Sequence, residues 1–171
     1  RVPVLWRARG DTLRRAPAVI VHWPPAGMPL PSDNAASLVL EIAGEGGRTL
    51  MTADLDSTRE DLLEVTGPFA VLKVGHHGSG SSSGAGFLGR TRPRLAAISC
   101  GRRNAYGHPH AGALARLVAI GATIVRTDRE GAVWLEFSAR GARRVDWRGR
   151  EPRGGGPCAD ENAAPVVSPA R

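Results

Sequence analysis

Lysine is almost missing from this chain. Of its 23 basic residues only Lys73 is not arginine; against 16 acidic residues the formal charge is +7. That charge fits a nucleic-acid or phosphate partner. Arginine accompanied by abundant alanine, glycine and proline also fits a bias of the coding sequence. Cysteine is scarce too. Cys100 and Cys158 stand far apart, the second in a polar stretch, which argues against a disulfide framework or a zinc ribbon. No apolar run approaches the ~20 residues that cross a bilayer. The opening RVPVLWRARG has neither Met nor the apolar core of a signal peptide. The expectation is a piece of a longer protein, whose compartment this stretch does not reveal.

What is present suffices for one domain, since 171 residues, 42% of them hydrophobic, can bury a core. Residues 17–22, 37–44 and 48–54 read as strands, the last two joined by GEGG as a hairpin. Ser57-Thr-Arg-Glu60 has the form of a capping box and predicts a helix over 58–65. The continuous apolar run 69–75 reads as a buried strand. A short helix over 84–90 and a strand over 94–100 follow. The spacing of Leu114, Leu117, Val118 and Ile120 predicts a helix over 111–121, with Gly121 as its stop. Residues 122–128 and 132–137 read as strands joined by the tight turn DREG. Strands alternating with helices give an α/β fold, a mixed sheet with flanking helices. Residues 1–140 form the domain. The Gly-, Pro- and charge-rich stretch 141–171 reads as a disordered tail.

Polar residues gather where predicted strands end. Asp54 ends one strand, and His76 and His77 follow another. Asn104, Tyr106, His108 and His110 follow a third, and Thr127 and Asp128 end a fourth. In layered α/β folds, ligands sit outside the carboxyl ends of strands. Each group has a plainer alternative. Asp54 and Asp56 can cap a helix, the histidine pair can be a polar turn, GSGSSS a flexible loop, His108-Pro-His110 a helix start, and Thr127-Asp128 a hairpin opening. Together they suit hydrolysis at a metal. A carboxylate can bridge two cations, neutral imidazoles complete the shells, and the Gly/Ser loop can offer backbone N–H groups to an anion. One Asp and one or two His make only half of such a site.

The segments NAASLVLEIAGEGGRTLMTADL, VLKVGHHGSGSSS, RPRLAAISCGRRNAYGHPH and VRTDREGAVWLEF occur in that order. Over roughly residues 17–137 they resemble the C-terminal metallo-β-lactamase-like domain of ComEC-type DNA-internalisation competence proteins and related hydrolases. The resemblance implies an αββα sandwich with a metal site between two sheets, of which this chain would be the C-terminal half. The HxHxDH motif that should come first is not in the sequence, so the first sheet and first ligands would be missing.

The resemblance also implies site residues. Asp54 matches the Asp of a Gly-Asp motif, the bridging ligand, although Ala53 stands where glycine is expected. His76 or His77 matches a later metal ligand. His77 is favoured because successive side chains of an extended chain point apart and Gly78 beside it leaves room for a cation. His108, with Asp54 and His77, would be catalytic. Ser79, Asn104 and Tyr106 would line the substrate edge, and Arg102 and Arg103 would attract phosphates. His22 is a further possible ligand or a strand-flank residue. The cofactor implied is divalent metal, two Zn²⁺ or Mn²⁺ in the full-length domain, with no small-molecule cofactor. The partners implied are single-stranded DNA and a membrane channel domain in the same polypeptide. The location implied is the extracytoplasmic side of a bacterial inner membrane. The competing readings are a non-catalytic DNA-binding or structural remnant, and a β-lactam or thioester hydrolase on the same fold.

Overall fold

The computed structural model of the protein describes residues 7–15 and 17–146. Seven strands make one mixed sheet in sequence order. β1 (Thr12–Arg15), β2 (Ala18–Trp23), β3 (Val39–Gly44) and β4 (Gly47–Met51) pair antiparallel, and β5 (Val71–Lys73), β6 (Leu95–Ile98) and β7 (Thr123–Arg126) then add in parallel to β4. Parallel neighbours need crossovers. These carry α1 (Ser57–Glu60), α2 (Ala85–Thr91) and α3 (Ala111–Ala119).

The crossovers cover one face. Leu50, Leu72, Ala96 and Ile124 are successive register partners on it. They cluster with Leu63, Val65, Phe87, Leu88 and Leu117. α3 buries Ala113 and Leu117, four residues apart on one stripe; Leu114 and Ile120 pack at its margin, whereas Val118 is exposed. On the opposite face Val71, Leu95 and Val125 meet Leu135 and Ala142. These last two come from a separate hairpin, β8 (Trp134–Ser138) and β9 (Gly141–Val145). Beside it lies a cleft of about 510 Å³ lined by Ile42, Met51, Val71, Lys73, Leu135 and Phe137.

The α/β class, the mixed sheet and the GEGG hairpin are as the sequence predicts. Several details differ. β1 has no counterpart among the predicted strands. The helix begun at Ser57 stops at Glu60, because Leu63 and Val65 both enter the core, and a spacing of two suits extended chain. Its cap is Asp56, whose Oδ1 accepts from Arg59 N at 3.0 Å, not Ser57. DREG is no hairpin turn: α4 (Thr127–Glu130) follows β7, and β8 leaves the main sheet to pair with β9. Ordered chain therefore continues past residue 140 to at least Asp146; the rest of the predicted tail, 147–171, lies outside the described residues. Among the described residues no helix is long and apolar enough to cross a membrane.

Candidate functional site

Because β4 through β7 are parallel, their carboxyl ends share one edge, and the chain leaving each end carries the polar residues. After β4, Ala53 adopts φ +45°, a left-handed conformation that favours glycine. Its carbonyl accepts from His76 N at 2.8 Å, so the ends of β4 and β5 are laced together beside Asp54. The Asp54 amide is held by Ser37 Oγ at 3.1 Å.

The histidine pair is not extended. His76 and His77 are both left-handed, with φ +46° and +55°. Two left-handed residues do not alternate across faces as residues of an extended chain do. His77 Nδ1 lies 2.7 Å from the Ser99 carbonyl. A carbonyl only accepts, so Nδ1 carries the proton in the neutral ring and the Nε2 lone pair is free. That Nε2 stands 3.7 Å from Asp54 Oδ1, both side chains about half exposed. His76 is different: its Nδ1 is buried and has no hydrogen-bond partner, as is true of His108 Nδ1. The two rings meet edge-on with centroids 6.0 Å apart. Desolvation first, then the neighbouring charges of His76, His77 and His110, push the His108 pKa down, which favours the neutral ring.

The Gly/Ser loop is neither floppy nor a free anion cradle. Ser83 N and Gly84 N donate to Glu60 at 2.9 Å each. Ser79 N and Ser82 N are spent within the loop, and Ser82 Oγ donates to Gly75 O at 2.8 Å. On its far side Arg116 from α3 donates to the carbonyls of Gly80, Ser82 and Ser83. Ser79 Oγ pairs with Ser81 Oγ at 3.0 Å. The side-chain space that Gly78 leaves is not open either. It sits at φ +83°, and a Cβ there would lie 2.6 Å from Pro109 Cβ.

The loop after β6 is also preorganised. Asn104 Nδ2 donates to Gly101 O and His108 O, and its Oδ1 accepts from His108 N. Its amide is thus committed to the loop and is not presented to a substrate. Tyr106, at the tip, is 83% exposed and stacks on His108. His110 caps α3, its Nδ1 accepting from Gly112 N at 3.1 Å. The last predicted group is structural. Thr127 Oγ1 bonds both backbone groups of Cys100, and Asp128 is paired with Arg126 at 2.6 Å. His22 is occupied with Glu41 at 2.8 Å.

Sequence reasoning missed Glu60, Arg116 and Ser99, which hold the histidine turn. It also missed Lys73, whose Nζ donates to Val74 O at 2.9 Å. Burial pushes the Lys73 pKa down against the pull of Asp54 and Cys100. A lysine inside the run FAVLKVG was the available signal for Lys73; Glu60 stood out only as the end of the capping box, and nothing local marks Arg116 and Ser99. Among the described residues no group of three or more His, Cys, Asp or Glu is arranged to hold a metal ion.

No family model matches the chain. It is 35% identical over 137 residues to ComE operon protein 3 of Bacillus subtilis, covering 77% of this chain and 17% of that protein. It is 37% identical over 117 residues to competence protein ComA of Neisseria gonorrhoeae, 65% of this chain and 17% of that protein. It is 34% identical over 107 residues to recombination protein 2 of Haemophilus influenzae, 62% of this chain and 14% of that protein. The chain thus spans about a sixth of the length of these bacterial relatives, and across most of its own length it is similar to proteins named for competence and recombination.

Proposed function

We propose that this chain is the C-terminal part of a metallo-β-lactamase-like domain of the ComEC type, a metal-dependent phosphodiesterase acting on DNA in competence. One observation carries the reading. Asp54 Oδ1 and His77 Nε2 stand 3.7 Å apart, too far for a hydrogen bond and near the ~3.4 Å between two ligands of a tetrahedral zinc ion. The Ser99 carbonyl fixes the tautomer that leaves Nε2 free to bind.

These residues fit part of a metal site. Asp54 and His77 would hold the ion, and His76, with a buried unpartnered nitrogen, would be a second imidazole in or beside the shell. The full-length domain would supply the remaining ligands for two Zn²⁺ or Mn²⁺. A bound ion would acidify a water and polarise a phosphoryl oxygen. His108, whose pKa desolvation and the neighbouring histidines push down, would be placed to accept a proton. Ser79 and the exposed Arg102 and Arg103 would meet the phosphate backbone. The domain would act on the extracytoplasmic side of the inner membrane, beside a channel domain in the same polypeptide.

Titrating Mn²⁺ and Zn²⁺ into the full-length protein while following cleavage of single-stranded DNA tests this. His77→Ala abolishes metal-dependent cleavage. His76→Ala lowers metal affinity by ~10–100-fold, the range for an outer-shell partner. The 171-residue chain alone binds metal weakly and cleaves little. Undiminished cleavage in both Asp54→Asn and His77→Ala overturns the reading. The donor count favours a second one: with no group of three or more donors arranged to hold a metal among the described residues, a non-catalytic DNA-binding remnant is the alternative. It expects DNA binding without metal-dependent turnover in the same titration.

A further inference from the structure

Tyr106 is the only tyrosine in the chain, and 83% of it is exposed. Its burial contributes little to folding, yet the loop that displays it is built to a fixed shape. Three Asn104 hydrogen bonds close the loop from Gly101 to His108, and Gly107, at φ +67°, turns the chain behind the tip. The Tyr106 ring lies on the His108 ring, centroids 5.8 Å apart and planes within 19°. One side of the ring is therefore backed by an offset imidazole while most of the tyrosine remains open to solvent. The same loop carries two exposed arginines. Arg102 is steadied by a bond from Nε to Asp128 O at 3.0 Å. The His108 ring links the platform to His76 at 6.0 Å.

A solvent-facing aromatic on a hydrogen-bonded loop that also carries two exposed arginines suits the bases and phosphates of an unpaired strand. Base stacking tolerates any sequence, because every base has a π-face, and nearby cations track the backbone. In a duplex the bases are already stacked on each other and offer no free face. We propose that Tyr106, backed by His108, is a stacking platform for one base of a single-stranded nucleic acid, with Arg102 and Arg103 taking the adjoining phosphates. This rests on the nucleic-acid part of the reading above and not on its metal.

The test is fluorescence anisotropy on the full chain in chelator, so that no metal-dependent cleavage consumes the probe. The probes are a labelled oligothymidylate, an abasic strand of equal length, and a duplex. Tyr106→Ala weakens oligothymidylate binding by roughly 10–100-fold, the range for loss of one stacked base, and leaves abasic binding unchanged. Tyr106→Phe keeps the wild-type preference for bases. Arg102→Gln with Arg103→Gln weakens both strands alike and lowers the salt dependence by about one ion for each phosphate no longer neutralised. The proposal is overturned if wild type prefers the abasic strand or the duplex, or binds no strand. Tyr106→Ala binding both strands as wild type does, or weakening on both equally, also overturns it. None of these outcomes depends on cleavage, so the hydrolase reading fails or stands separately.

Discussion

The antiparallel and parallel halves of the sheet each bury a glutamate, and they treat it in opposite ways. Glu41, on β3, accepts from Arg48 at 2.6 and 3.0 Å and lies 2.8 Å from His22 Nε2. The Arg48 guanidinium outweighs desolvation and, with His22, holds its pKa below the ordinary value. Glu60, at the end of α1, accepts from two backbone N–H groups of the histidine loop. Burial outweighs those bonds and raises its pKa, Asp61 adding to the rise and Arg116 opposing it. Two peptide dipoles do not replace a guanidinium. The backbone tells the same story. Among the described residues every non-glycine with positive φ — Ala53, His76, His77, Ser83 and Arg92 — lies in the connections between β4 and β6. Strained backbone persists only where its surroundings hold it. The antiparallel half is a relaxed scaffold. The parallel half is a braced edge.

Removing the brace should have the largest effect. Glu60→Ala leaves Ser83 N and Gly84 N buried without an acceptor and should cost about 3 kcal/mol, read by chemical denaturation. It should also release the loop, seen as faster amide exchange at residues 79–84. Gly78→Ala should cost about 2 kcal/mol, from left-handed strain and the clash with Pro109; Gly10→Ala, at φ +96° but with nothing within 4 Å of a Cβ, carries the strain alone and should cost less, and an equal cost would erase the contrast.

The two glutamates should also give opposite pH slopes. The Glu41 contribution is fully present above its unfolded pKa and is lost as pH falls through the depressed folded value. Glu41→Gln should therefore cost more at neutral pH than in acid. The Glu60 pKa is raised, so its protonated form is the better folded one. Its contribution is greatest below the unfolded pKa and declines as pH rises through the folded value. The cost of Glu60→Gln should then shrink from acid to neutral pH, and parallel slopes for the two variants would break the comparison. Smallest of all, Ala53→Gly should stabilise by about 0.5 kcal/mol, the left-handed strain relieved less the extra chain entropy of glycine.

Much of the fold was legible. The alternation and turn residues of 37–54 specified a hairpin, and the continuous apolar run at 69–75 specified a buried strand, because each pattern has a local physical cause. The strand-end position of Asp54 and His77 was legible for the same reason. What these residues touch was not. The Gly/Ser loop looked like an anion cradle, but Glu60 lies 23 residues from Ser83 and Arg116 lies 33 residues from it. Asn104 looked like a substrate-binding residue, but its amide closes the loop. DREG looked like a turn, but Thr127 is tied to Cys100 across 27 residues.

The sequence by itself determined the α/β order, the hairpin, the buried strand at 69–75 and the edge on which polar residues would gather, since periodicity and turn chemistry act over a few residues. The tertiary structure decided which histidine faces Asp54, which carboxylate is charged easily, where Gly78 is obligatory and why Tyr106 is held out in solvent. Those outcomes depend on packing between residues distant in the chain, and desolvation, hydrogen-bond partners and close approach are properties of the folded neighbourhood.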